Sequence, residues 1–158
     1  MAFSHKNIKK KNKKEKKEVV VKKKLKEEIN TKEEKRIEAE MLKKLNSLEK
    51  SKFRGAFHLN QKMKEYVNIK GLDKIRKDTY DFINSRLAPA VPKNDGKQTP
   101  MRQVHPTFIA MHANGFCCRN CLNRIHHIEK NRKLTNDEID YIVEFIMLWI
   151  QKEINNRI

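Results

Sequence analysis

Seven of the nine cysteine and histidine residues of this 158-residue chain lie between His105 and His127. The stretch reads HPTFIAMHANGFCCRNCLNRIHH and holds Cys117, Cys118, Cys121, His105, His112, His126 and His127. Thiolate sulfur and imidazole nitrogen bind borderline-soft metal ions, so this clustering points to a metal site. Cys118-x2-Cys121 has the spacing of a knuckle, in which two thiolates approach one ion from a tight turn. His126, five positions after Cys121, and His112, six before Cys118, complete a tetrahedral set. Cys117 competes with Cys118, because on a continuing helix it shares a face with Cys121. Adjacent side chains diverge, so the expected set is Cys118, Cys121, His112 and His126, with Cys117 as the substitute.

Mixed sulfur and nitrogen donors make zinc the default ion. An iron site or an iron–sulfur cluster ranks behind it, because such clusters are mostly all-thiolate. The competing reading needs no metal: the cysteines are small buried hydrophobes, and His105 and His112 satisfy nearby carbonyls. Asp95 and Glu129 flank the cluster and are the candidates for proton transfer with a metal-bound water. The deaminase pattern H-x-E with P-C-x-x-C is absent, as is the hydrolytic H-E-x-x-H helix. A closed structural site is therefore expected ahead of a catalytic one.

Just before the cluster, all four prolines fall between Pro89 and Pro106. Proline fixes φ and removes a donor, so this stretch reads as an ordered or extended loop with a tight turn at Asn94-Asp95-Gly96. Arg86, Lys93, Lys97 and Arg102 here, with Arg119 and Arg124 beyond, form a candidate positive cleft for phosphate or a nucleic-acid backbone. The plainer alternative is a loop packed over a small core with its cations in solvent.

The elements that must position these groups are helical. Thr135-x-x-Glu138 fits a capping box, followed by a core stripe of Ile139, Ile142, Val143, Ile146 and Ile150 with Trp149 at its edge. A helix opens near Asn60 as N-cap, lines Met63, Tyr66 and Val67 on one face, and stops at Gly71. A second, over 72–87, buries Leu72, Ile75, Phe82 and Ile83. Residues 27–50 alternate opposite charges and carry one narrow stripe, Ile37, Met41, Leu45 and Leu48. They read as an exposed helix joining a tail to a body that spans 51–158. No alternating strand pattern occurs, so the class is all-α, with a long Pro-rich ordered loop and a Cys/His knuckle.

Charge is unevenly spread along the chain, whose net charge is +17. Residues 1–26 hold twelve lysines against Glu15 and Glu18. Such a segment buries no apolar surface and is expected to be disordered in isolation. It reads either as a basic arm for DNA or RNA or as a solvated low-complexity extension. No apolar core follows the early lysines, so no signal peptide is expected. The apolar run at 139–150 is shorter than the roughly 20 residues of a membrane helix. Three cysteines, two adjacent, make a poor disulfide framework. A soluble, cytoplasmic protein with reduced thiols is the expectation, with no membrane partner.

The chain from Lys52 onward resembles a small prokaryotic and phage-associated family, the domain of unknown function 4186. The resemblance rests on SKFRGAFHL (51–59), KGLDKIRKDTYDFINSRLAPAVPKNDGKQTPMR (70–102), HPTFIAMHANGFCCRNCLNRIHHI (105–128) and KNRKLTNDEIDYIVEFIMLWI (130–150). It implies no assigned activity. The family usually has a tryptophan where this chain has Ile125 and a glutamine where it has Met111; neither departure removes a potential ligand. Three functions follow as expectations. First is a zinc-stabilised module that binds nucleic acid. Second is a metal-dependent enzyme acting on a phosphate- or nucleobase-containing substrate. Third is a non-catalytic interaction protein with buried Cys and His.

Overall fold

The structure, a computed structural model, describes residues 3–156, with side chains from residue 10. Six α-helices run in order: α1 Phe3–Glu49, α2 Gln61–Lys70, α3 Leu72–Arg86, α4 Pro106–Asn114, α5 Arg119–His126 and α6 Asn136–Asn155. A single 3₁₀ turn, Arg54–Ala56, follows α1, and no strand occurs among the described residues. The all-α class holds.

The chain divides into two compact units, Met1–Met41 and Leu42–Ile158. In the first, every side chain from residue 10 to residue 40 is exposed. The helix of this basic extension is continuous from Phe3. Lysine, glutamate and leucine are good helix formers, and no glycine or proline precedes Gly55. The second unit starts inside α1 at Leu42. There Leu45 is fully buried, and Lys152 on α6 donates to Asn46 and Glu49 at 2.9 Å.

In this second unit α4 is the central element. It packs on α2, α3, α6 and the 3₁₀ turn, and all nine of its residues are buried. A helix covered on every side has no polar face, which is why periodicity does not reveal it. Its start is fixed locally: Pro106 sits in the first turn, and His105 Nδ1 accepts the Thr107 amide at 3.1 Å. Gly115 ends it in the left-handed region at φ 77°. There a Cβ would lie 2.5 Å from Ile125 Cδ1, so glycine is required by conformation and by space.

The caps expected on α2 and α6 form at those residues. Asn60 accepts the Met63 amide at 2.9 Å, and Thr135 and Glu138 form the full capping box. Ile142, Val143, Ile146 and Ile150 on α6 are fully buried, and Trp149 lies in the core with them, not at its edge. On α3 the buried set is Ile75, Thr79 and Ile83, while Leu72 is exposed and Phe82 half-buried. The Thr79 and Thr107 hydroxyls bond at 2.7 Å, joining α3 to α4 inside the core.

The loop between α3 and α4 is ordered by its own polar groups. Asn94 and Gly96 take positive φ, and the Lys97 amide donates to the Asn94 carbonyl at 2.9 Å. Gln98 closes the turn, accepting from the Gly96 amide and donating to Asp95.

Candidate metal centre

The turn between α4 and α5 carries Cys117 and Cys118, and the first turn of α5 carries Cys121. Their sulfurs lie within 4.8 Å of one another, a cluster able to hold a metal ion. Cys118 is the N-cap of α5, its Sγ accepting the Cys121 amide at 3.4 Å. Because Cys118 leaves the helix at an extended backbone angle, its sulfur turns back toward its neighbours. The expected divergence of Cys117 and Cys118 is thereby overcome, and Cys117 belongs with the cluster. Burial pushes the Cys118 thiol up to about 11, so without a cation beside it this sulfur stays protonated at neutral pH.

Neither expected histidine joins the sulfurs. His126 stacks on Phe116 at 4.2 Å, with both ring nitrogens engaged: Nε2 bonds the Asn114 carbonyl at 2.7 Å and Nδ1 the Tyr141 hydroxyl at 3.0 Å. One neutral tautomer satisfies both, with Nε2–H donating and Nδ1 accepting. Burial lowers the His126 pKa to about 4 and raises that of Tyr141 to about 12, which keeps ring neutral and phenol protonated. His112 lines the same hollow as the cysteines, but its Nε2 bonds the Thr99 carbonyl at 3.0 Å and its ring stacks on Phe57. His105 caps α4 and bonds Asp78 at 3.2 Å, and burial lowers its pKa. His127, in the left-handed region at the end of α5, is exposed.

The residue that sequence reasoning missed is Arg54. Its guanidinium is buried and donates to the His112 carbonyl at 2.5 Å, to Cys121 Sγ at 3.3 Å and to Cys117 Sγ at 3.5 Å. Burial pulls its pKa down, but contact with the two cysteines outweighs this and holds it above its ordinary value. Gly55 makes the placement possible. A Cβ there would meet the Glu49 carbonyl oxygen at 2.1 Å, so only glycine lets the chain turn this closely under α1. The signal available in the sequence was the F-R-G-A-F run, which offers a basic residue and a tight turn between aromatics.

The candidate phosphate-binding residues separate into two groups. Arg119 is 1% exposed, and its guanidinium donates to four backbone carbonyls, those of Leu87, Pro89, Glu129 and Arg132. It rivets the end of α3 to the loop before α6 and is not available to a phosphate. Arg86 lies over the Phe108 ring at 4.8 Å and donates to the Gln98 carbonyl. Lys93, Lys97, Arg102 and Arg124 are exposed. Of the candidate proton-transfer groups, Asp95 is tied to Gln98 and to the Arg119 amide, and Glu129 faces Arg132. Neither lines the hollow beside the cysteines.

That hollow, about 600 Å³, is walled by Leu48, Phe53, Met101 and Ile125, with Arg54, Arg124 and the three cysteines at its base. Fold and site together define a small helical domain with a three-cysteine cluster backed by a buried arginine. The sequence profile of the family described as domain of unknown function (DUF4186) matches residues 39–151. The chain belongs to that family. The match begins inside α1, twelve residues ahead of the resemblance at 51–59. No solved structure matches the chain. Among the described residues no helix is long and apolar enough to cross a membrane.

Proposed function

We propose that the domain is a metal-binding module in which Cys117, Cys118 and Cys121 hold one divalent soft ion, zinc by donor preference, with a fourth position open to the hollow. The observation that carries this reading is the approach of three sulfurs to within 4.8 Å of one another. Thiolates about 2.3 Å from a tetrahedral zinc stand a little under 4 Å apart, so a small inward turn of the side chains suffices. Charge supports it too. Three thiolates and a divalent ion leave one negative charge, and the buried Arg54 supplies one positive charge against two of the sulfurs. Three protein ligands differ from the closed four-ligand shell expected from sequence, and an open position is the arrangement of reactive or ligand-exchanging zinc.

The nucleic-acid reading draws on less. With Arg119 and Arg86 committed to backbone carbonyls, it retains the exposed Lys93, Lys97, Arg102, Arg124 and the lysine-rich part of α1. Surface charge of this kind shows capability alone.

Elemental analysis of the full chain, purified without added metal, tests the proposal. One divalent ion per chain is expected, lost or strongly reduced in Cys117→Ser, Cys118→Ser and Cys121→Ser and retained in His126→Gln. A folded protein without stoichiometric metal, which also takes up none on addition of zinc, removes the reading.

A further inference from the structure

The hollow beside the cysteines has walls and charges that nothing in a purely structural metal site requires. Its base carries two guanidinium groups, Arg54 in contact with Cys117 and Cys121, and Arg124 with Nη2 4.0 Å from Cys121 Sγ. No aspartate or glutamate lines it. Arg54 balances the charge of a three-thiolate divalent centre, so Arg124 leaves the site with a net positive charge. At about 600 Å³ the space falls within the roughly 300–1,000 Å³ of small-molecule sites. Phe53 and Met101, apolar residues that line it, are 54% and 60% exposed, so an apolar group laid against them would gain by leaving water.

We propose that this hollow binds a small oxyanion with an apolar body, a phosphate or carboxylate head carrying an aromatic or aliphatic group. The inference rests on the metal reading of Cys117, Cys118 and Cys121. The head supplies the fourth ligand of the ion and pairs with Arg124, whose planar fork matches either a carboxylate or a phosphate. The body lies against Phe53 and Met101. A neutral molecule of the same shape has no partner for the second guanidinium and binds weakly. With an ion held by the three cysteines, the oxyanion would enter its open position reversibly, with no covalent bond of the ligand broken.

The cobalt(II)-loaded full chain separates this inference from the reading beneath it. Thiolate-to-cobalt charge-transfer absorption reports the three cysteines, and the visible d–d bands report the fourth ligand. Phenyl phosphate, benzoate, inorganic phosphate and benzyl alcohol are the probes. Phenyl phosphate or benzoate is expected to shift the d–d bands to saturation, with inorganic phosphate weaker and benzyl alcohol without effect. Which of the two ring-bearing probes binds more tightly tells a phosphate site from a carboxylate site. Arg124→Ala is expected to keep the charge-transfer band and weaken the better probe about tenfold, the loss of one charge-assisted pair. Met101→Ala weakens the ring-bearing probes but not inorganic phosphate. A charge-transfer band whose d–d partners no probe shifts overturns the inference and leaves the metal reading standing. So does an Arg124→Ala protein that titrates like the wild type. Absence of the charge-transfer band overturns both.

Discussion

Arg54 and Cys121, 67 residues apart in sequence, meet with a guanidinium nitrogen 3.3 Å from a thiol sulfur. The contact joins the turn after α1 to the first turn of α5 and places a cation against the cluster of cysteine sulfurs. A buried guanidinium loses its hydration and recovers it here from the His112 carbonyl and from two sulfurs. Groups that bond a metal ligand from outside tune its affinity by about 10–100-fold. Arg54→Ala is therefore expected to weaken zinc binding by at least about tenfold, measured by competition with a chromophoric chelator. Arg54→Lys recovers part of this, since an ammonium cannot span carbonyl and sulfurs together. Unchanged affinity in Arg54→Ala, in a protein that melts normally, would show that the cation acts on the fold alone.

Arg119 and Arg124 lie five residues apart on one short helix and do opposite work. Arg119 ties four backbone carbonyls together, while Arg124 is exposed. Arg119→Ala takes the donor from the buried Leu87 carbonyl and from three part-buried ones, at a cost of about 3 kcal/mol in chemical denaturation. Arg119→Lys is expected to lose most of the same amount, having three donors on a single nitrogen. Exchanging exposed Lys93, Lys97 or Arg102 for glutamine shifts stability by less than about 0.5 kcal/mol. Equal losses at Arg119 and at these three exposed residues would contradict the rivet.

These two arginines show which parts of the molecule were legible in the sequence. Local rules were readable wherever a side chain acts on its own neighbours: Asn60 capping α2, Gly71 ending it, and the Thr135–Glu138 box on α6. The amphipathic stripe of α6 was readable for the same reason. Helix α4 was not, because burial on all sides erases its period, and Arg119 looks like any basic residue until its carbonyls arrive from 10 to 32 positions away. At the site, residue type identified the cysteines but could not separate ligands from core groups. His112 bonds the Thr99 carbonyl, His105 the Thr107 amide and His126 the Asn114 carbonyl, partners that only the folded chain brings to them. Arg54 escaped notice because the contact that matters spans the whole body.

Gly55 tests whether Arg54 is held in place by backbone geometry. The 2.1 Å approach of a Cβ to the Glu49 carbonyl cannot be relieved by a side-chain rotation, so Gly55→Ala must move the turn. A loss of about 1–3 kcal/mol is expected, as for overpacked sites, together with weaker metal binding as Arg54 shifts. Gly71→Ala serves as the comparison. Its φ of 83° is strained for alanine, but a Cβ there meets nothing within 4 Å, so it costs less than Gly55→Ala and leaves metal affinity unchanged. A Gly55→Ala protein as stable as the wild type would mean the turn has slack.

His126 makes stability depend on pH in a defined window. Burial lowers its pKa to about 4 in the folded protein, against an ordinary value of 6.5. The unfolded chain therefore takes up a proton on this ring near pH 6.5, while the folded chain does so only near pH 4. Stability from the neutral ring is complete above pH 6.5 and is lost as pH falls toward 4, on the order of 2–3 kcal/mol across the window. His105 and His112 are lowered by burial as well and act in the same direction. Glu138 works lower on the scale. Hydrogen bonding to Arg132 lowers its pKa to about 2 from 4.5, so its contribution is intact above pH 4.5 and fades below. Comparing urea midpoints of the wild type and His126→Gln between pH 7 and pH 4.5 isolates this ring, because loss of a cysteine-bound ion over that range is common to both proteins. The wild type is expected to lose stability steadily over that range, and His126→Gln, which removes the titrating ring, to start lower at pH 7 and fall less steeply. Parallel curves for the two proteins would show that the ring is not held neutral by its place between Asn114 and Tyr141.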